Sequence, residues 1–333
     1  MKNKIFTFFL LFYNVSFAQS DSVPYTLFSN QLVIYADLGY SSAPFSISYP
    51  YSAGLDKLKY KNNYRNIFGF GVCYKWFALR IGVPLPGYAR SIATYGKTTP
   101  INVGFDFSFK KVFCDVDIRS YEGYAIKDAN SWNDTLTSEK PNDLRQKTKS
   151  QSFSMNAWYF HNKDFKMSAL RGKTGHYKKD VHTWYLKNTF NIFGVTNDQS
   201  SIIPLKLIDS SNTKTSSDYY SALDFGVVPG YAYVKRKNQW QISGLAGLGA
   251  VIQTKLYDAN GNNRSIIGLA PRYDIRLIGG YSVPAYFVFL VTDFDNKSIR
   301  FSDLVYRQYF YSIKIVAGKR FIQKDRSKKS TKG

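Results

Sequence analysis

This sequence predicts an all-β chain closed on itself as a transmembrane antiparallel up-and-down β-barrel of about 12–14 strands. Three observations predict it. Apolar and polar side chains alternate with a period of two along much of the chain, and no 3.6-residue period of useful length competes. The chain starts like an export signal. Aromatic residues make up 17% of it, with 27 Tyr and 26 Phe, an excess that the interfacial girdles of a membrane barrel explain.

The alternation is plainest at residues 66–85. Phe68, Phe70, Val72 and Tyr74 share one side, against Ile67, Gly69, Gly71, Cys73 and Lys75. After Trp76 it restarts, with Phe77, Leu79, Ile81, Val83 and Leu85 opposite Ala78, Arg80 and Gly82. This is a hairpin with one large apolar face and one small or charged face. A soluble sandwich would bury the apolar face, whereas a membrane barrel turns it to lipid.

The N-terminus decides between the two. Lys2 and Lys4 precede an apolar run from Ile5 to about Tyr13, and Ser16 and Ala18 occupy the small-residue positions before a cut. Cleavage is expected after Ala18. The run is too short to span a bilayer, and no later segment reaches the roughly 18 apolar residues of a membrane helix. The expected division is a signal peptide at 1–18, an N-terminal segment at 19–30, a single barrel domain at 31–322 and a basic tail at 323–333. The expected location is the outer membrane of a Gram-negative cell.

The formal charge of +22 comes with no nucleic-acid recognition motif, so no nucleic-acid partner is expected. Outer-membrane lipid and lipopolysaccharide, whose phosphates pair with basic rims, are the expected surroundings, and barrel-assembly machinery is an expected partner. Cys73 and Cys114 fall on opposite faces of strands that are not neighbours, so two free thiols are expected and not a disulfide.

Further strands are expected at 31–41, 99–109 and 112–119, the last two joined by a tight turn at Lys110-Lys111. Residues 125–149 read as a long polar loop. Strands at 151–160 and 164–171 are expected around a turn at 161–163, then at 181–194, 217–234, 239–256, 266–280, 283–293 and 308–322. That makes thirteen, whereas bacterial single-chain barrels have an even number. Adding 202–208 gives fourteen, and dropping 181–194 gives twelve.

Several motifs stand in order along this frame: Gly69-Phe70-Gly71-Val72-Cys73-Tyr74-Lys75-Trp76, Pro84-Leu85-Pro86, Tyr121-Glu122-Gly123-Tyr124 and Tyr159-Phe160-His161-Asn162-Lys163-Asp164-Phe165. Together they resemble the signature of an uncharacterised family of exported proteins from Bacteroidetes-type bacteria, over roughly residues 30–322. The resemblance implies a signal peptide and an outer-membrane barrel, and it carries no catalytic residue.

The chemistry of the interior rests on the inward charges. Face assignment puts Arg80, Asp106, Lys110, Asp115, Asp117, Arg119, Asp224, Arg272, Asp274, Arg276, Lys314 and Arg320 inside. Both signs occur in similar number, which fits either a salt-bridged filling or a polar passage for small polar or anionic solutes. A plugged barrel serving structure or envelope assembly is the alternative. A third reading, a lipid or peptide hydrolase, would need an Asp/His pair such as Asp180 with His176 or His182 at a rim. No enzyme activity, metal or cofactor is expected.

Overall fold

A computed structural model describes residues 23–322 apart from 53, 110, 111, 199 and 260. The expected signal peptide and its expected cleavage point, the basic tail, Lys110 and Lys111 lie outside the described residues. In chain order the strands begin with β1 (Tyr25–Leu27), β2 (Leu32–Ser42), β3 (Phe45–Ser48) and β4 (Lys57–Asn62). Next come β5 (Asn66–Tyr74), β6 (Phe77–Pro84), β7 (Thr99–Ser108) and β8 (Val112–Ile126), then β9 (Asp143–Phe160), β10 (Gly175–Tyr177) and β11 (Val181–Asn197). The set ends with β12 (Tyr219–Lys237), β13 (Trp240–Ala259), β14 (Asn262–Ser282), β15 (Tyr286–Arg300) and β16 (Val305–Phe321). Two one-turn helices, α1 (Ile92–Tyr95) and α2 (Met167–Leu170), sit in connections.

Twelve of these strands, β2, β5–β9 and β11–β16, pair antiparallel each with the next, and β16 pairs with β2 to close the ring. Closure leaves no sheet edge around this ring, the condition for backbone in a bilayer. The even number holds, but the strands that make it up differ from the sequence expectation. Residues 181–197 are a wall strand, and 202–208 are not, Leu205–Leu207 being a short 3-10 turn beyond Pro204. Residues 164–171 are not a strand either. The long loop shrinks to 127–142, because β8 and β9 extend into it.

The outer surface is a membrane belt. Leu38, Phe70, Ile81, Ile118, Ile192, Phe225, Leu248, Ile275, Leu290 and Ile313 all stand exposed around the ring. At the end carrying the short turns, Trp76, Phe109, Tyr159, Trp184, Trp240, Tyr286 and Phe321 form an exposed aromatic girdle. The remaining aromatic excess has a different use, since Tyr60, Tyr121, Tyr124, Tyr220 and Tyr306 are fully buried inside. Cys73 is buried and Cys114 half-exposed, and both are free.

The wall changes strand number along its height. β2 and β3 run consecutively along β16, and β4 leads into β5, so 32–74 is one long hairpin with breaks at 43–44 and 63–65. The short strands β6 and β7 fit between β5 and β8 only towards the turn end. Beyond them β4 pairs directly with β8, through Tyr60–Asn62 against Tyr124–Ile126, which leaves a ten-stranded ring at the loop end. The exchange needs Gly123. It holds φ +95, where side chains are disfavoured, and a Cβ there would strike the Lys97 carbonyl. A register irregularity between Glu122 and Tyr124 marks the same point.

Candidate functional site

Residues 161–180, expected as a turn followed by a strand, form instead a long connection between β9 and β11 that folds into the barrel. Phe165, Met167, Ala169, Leu170 and Tyr177 are buried there against Trp158, Tyr185, Phe287 and Phe289 of the wall. β10 pairs with β1, so the segment before β2 shares in this plug. Burying Phe165, Met167 and Leu170 contributes on the order of 5–9 kcal/mol as an upper bound. Polar contacts fix its position. Arg171 donates to Asp106 at 2.6 Å, Lys173 to the Tyr35 hydroxyl at 2.9 Å, and Gln241 to the carbonyls of Ala169 and Leu170, each at 3.1 Å. Arg320 reaches across from β16 and donates to the carbonyls of Gly172 (2.5 Å) and Lys173 (2.8 Å).

At the loop end a second apolar cluster closes the barrel. Phe45, Ile47, Leu58 and Tyr60 of β3 and β4 pack with Tyr121, Tyr124, Phe193, Tyr220 and Tyr306. Ile202, Ile203 and Leu207 of the 198–218 loop are buried among them, and the Tyr60 hydroxyl donates to the Ile202 carbonyl at 2.8 Å.

Between these two apolar layers lies a charged chamber of about 130 Å³. That is room for several waters, and it is smaller than a drug-sized ligand pocket. Among the described residues, eight cations and seven carboxylates line it: Arg80, Arg119, Arg171, Lys173, Lys187, Arg272, Arg276 and Lys314 against Asp37, Asp106, Asp115, Asp117, Asp274, Asp293 and Asp295. Most are paired with one another, on the same strand or between strands. Arg80 holds Asp37 through two nitrogens at 2.6 Å each, Arg119 meets Asp117 at 3.2 Å, and Lys187 pairs with Asp274. Arg276 pairs with Asp293, which Lys314 also approaches at 3.7 Å. Among the described residues, two of these groups have no opposite charge within ion-pair distance. Asp115 accepts from Asn156 and Trp158, both at 2.7 Å, and Lys173 lies over the Tyr35 ring, 4.1 Å from its centre. The glycines of β5 make room for these struts, since a side chain at Gly69 would run into the Asp37 carboxylate and one at Gly71 into Tyr35.

Of the inward charges expected from sequence, Arg80, Asp106, Asp115, Asp117, Arg119, Arg272, Asp274, Arg276 and Lys314 line this chamber. Asp224 lies fully buried behind it, paired with Arg272 and accepting from Gln253 at 2.8 Å. Arg320 clasps the plug, and Lys110 falls outside the described residues. The alternation of β2, β11 and β15 also carries Asp37, Lys187, Asp293, Asp295 and Lys297 inward, a signal present in the sequence and not used. Arg171 and Lys173 had no such signal, because they come from the plug.

The histidines are dispersed. His176 faces Phe28 in the plug, while His182 bonds the Tyr231 hydroxyl at 2.6 Å in the outer girdle. Asp180 accepts the Arg236 backbone N–H at 2.7 Å. Burial, reinforced by the nearby Arg236, Arg320 and Lys178 charges, pushes the His176 imidazole down to about 4. Among the described residues no cluster of three or more His, Cys, Asp or Glu side chains is arranged to hold a metal ion.

A closed antiparallel sheet, apolar outside and charged within, defines a membrane β-barrel of the outer-membrane type. Residues 16–321 match the family described as a domain of unknown function, DUF4421, and the chain belongs to that family. No curated protein matches it. Among solved structures it is similar to the outer membrane protease OmpT from Escherichia coli (TM-score 0.42, 9% identity, covering 89% of this chain and 98% of that one). It is also similar to the COG4313 outer membrane channel from Pseudomonas putida F1 (0.39, 8%, 91% and 100%). A third is the toluene transporter TodX from P. putida (0.31, 7%, 88% and 91%).

Proposed function

We propose that this chain is an outer-membrane barrel, exported by a signal cut after Ala18, that forms a gated passage for small polar solutes and is closed in the conformation described. One observation carries this reading. The layer that seals the turn end is not part of the wall but a connection, 161–180, joined to β9 and β11 only at its ends. It can move without breaking a strand pair of the wall, since its one pairing, β10 with β1, lies within the plug. Behind it lies a charged chamber and not an apolar core, although burying so many charges is costly unless water or solute shares the space. The chamber has one more lining cation than carboxylate, so it discriminates weakly by sign. The chamber therefore accounts for little of the chain's formal charge of +22.

The test is current through planar bilayers. Wild-type protein is expected to be silent, and a variant with 166–178 replaced by a Gly-Ser segment of equal length, and with Ile202, Ile203 and Leu207 of the loop-end layer changed to Ser, is expected to conduct. Current through the wild type at rest contradicts the closed state.

A second reading, a permanently sealed barrel with a structural or assembly role, draws on the loop-end cluster. That layer includes β3 and β4, which belong to the wall sheet itself. On this reading the plug-replaced variant folds and stays silent.

A further inference from the structure

Outside the barrel, just beyond the apolar belt on the loop side, one cation is held ready without an acidic partner. The Arg90 guanidinium lies between two tyrosine rings, 3.9 Å from the centre of Tyr64 and 4.6 Å from that of Tyr95. Among the described residues no carboxylate comes within ion-pair distance of it, and none of its side-chain N–H groups is hydrogen bonded. Its backbone is fixed, with Asn63 accepting from the Arg90 N–H at 3.2 Å and donating to its carbonyl at 3.1 Å. A planar, stacked guanidinium with free donors matches an anion of several oxygens better than a single charge.

Beside it stand three tyrosine hydroxyls. Tyr311 contacts Tyr64 at 3.3 Å and Tyr40 at 3.4 Å, both long for O–H···O bonds. Ser42 is a further partner of the Tyr311 hydroxyl, and contacts this long are readily given up for a charged acceptor, which a hydroxyl bonds more strongly. Arg90 stacks on Tyr64, whose own hydroxyl contacts Tyr311, so the two features form one place.

The neighbourhood identifies the ligand. Tyr40 is the ninth residue of β2 counted from Leu32, and a membrane strand needs about 9–11 residues to cross. The cluster therefore sits at the far interface. Next to it towards the turn end, Ile315, Leu38, Phe68 and Val83 are cross-strand partners in one exposed row over four adjacent strands. We infer that Arg90 and the Tyr40, Tyr64 and Tyr311 hydroxyls bind the phosphate of a membrane lipid whose acyl chains lie on that row. The inference rests on the outer-membrane reading above.

The probe is dihexanoyl phosphatidic acid, titrated by calorimetry into refolded protein in dodecyl maltoside, with dihexanoyl glycerol and inorganic phosphate as comparators. The wild type is expected to bind the phosphatidic acid about tenfold more tightly than Arg90→Ala does, and to prefer it to both comparators. Arg90→Lys should fall between, having the charge without the planar stack. Should Arg90→Ala fail to fold, the triple Tyr40→Phe, Tyr64→Phe, Tyr311→Phe variant keeps the rings, and a several-fold loss is expected. Equal binding by wild type and these variants overturns the inference. Inorganic phosphate binding as tightly as the phosphatidic acid also overturns it, because the acyl row then contributes nothing. Insertion into phosphatidylcholine vesicles, measured on the same samples, separates the two claims. A protein that does not insert overturns the membrane reading and this one with it; one that inserts without lipid preference overturns this one alone.

Discussion

The two apolar layers that close the barrel are made differently. At the loop end, Phe45, Ile47, Leu58 and Tyr60 come from β3 and β4, which are hydrogen bonded into the wall between β16 and β8. At the turn end, Phe165, Met167 and Leu170 come from a connection that joins no wall strand. The part of the first layer built from β3 and β4 cannot leave without opening the ring, whereas its share from the 198–218 loop, Ile202, Ile203 and Leu207, can. The whole of the second can, and its cost is set by a handful of buried side chains and polar clasps. The lesson is that a seal can open as far as it is built from connections and no further.

The largest expected effect breaks this contrast directly. Replacing 45–60 with a short turn removes the strands that complete the ten-stranded ring, and no folded, heat-modifiable species is expected on gels. Replacing 166–178 should leave that species in place. If both variants fold, or neither does, the distinction between wall and plug is lost.

The next effect tests the charged layer between them. The Arg272–Asp224 pair is almost fully buried, with side-chain exposures of 5% and 0%. Arg272→Met alone should destabilise by about 3–5 kcal/mol, because it leaves Asp224 buried and unpaired. Adding Asp224→Leu should recover much of that loss. Urea unfolding in detergent measures both, and a double variant as unstable as the single would count against pairing as the reason these charges persist.

A smaller effect concerns the plug alone. Arg171→Ala removes its contact with Asp106, a pair with side-chain exposures of 19% and 17%. A loss of roughly 1–3 kcal/mol is expected, confined to the plug. Limited proteolysis should therefore cut within 161–180 sooner, with the global unfolding midpoint little changed. Equal shifts in both would make the plug part of the cooperative wall.

The smallest is a pH effect. His176 titrates near 4 in the plug and near 6.5 when released, so the released state binds more protons between these values. The plug's hold is complete above pH 6.5 and weakens as pH falls towards 4. His176→Phe should remove that dependence, measured as the pH profile of proteolysis in 161–180. An unchanged profile would show that another group controls it.

Much of the wall could be read from the sequence because alternation survives wherever one face meets lipid. Phe68 and Phe70 point out and Cys73 points in, as their spacing requires. The chamber charges on those strands could be read for the same reason. The plug could not. Phe165, Met167 and Ala169 alternate as a strand would, yet all three are buried, and Leu170, the next residue, is buried too. A segment packed on several sides inside a barrel has no lipid face to show. The change of strand number was equally hidden, since pairing of β4 with β8 depends on contacts between residues more than sixty positions apart. Its marker, Gly123, lies within the Tyr121–Tyr124 motif. Pro84–Pro86 lies where β6 ends, and Tyr159–Phe165 where the wall turns into the plug. These family motifs stand at junctions of the architecture.

The native cysteines give the most direct test of the central claim, that 161–180 is what closes the turn end. Cys73 is buried beside the plug residues Ser168, Arg171, Lys173 and Thr174, whereas Cys114 lies on the outer, lipid side of the wall. A small charged thiol reagent applied to protein in lipid vesicles should leave Cys73 unmodified in the wild type and modify it when 166–178 is replaced. Modification of Cys73 at the same rate in both would contradict the account.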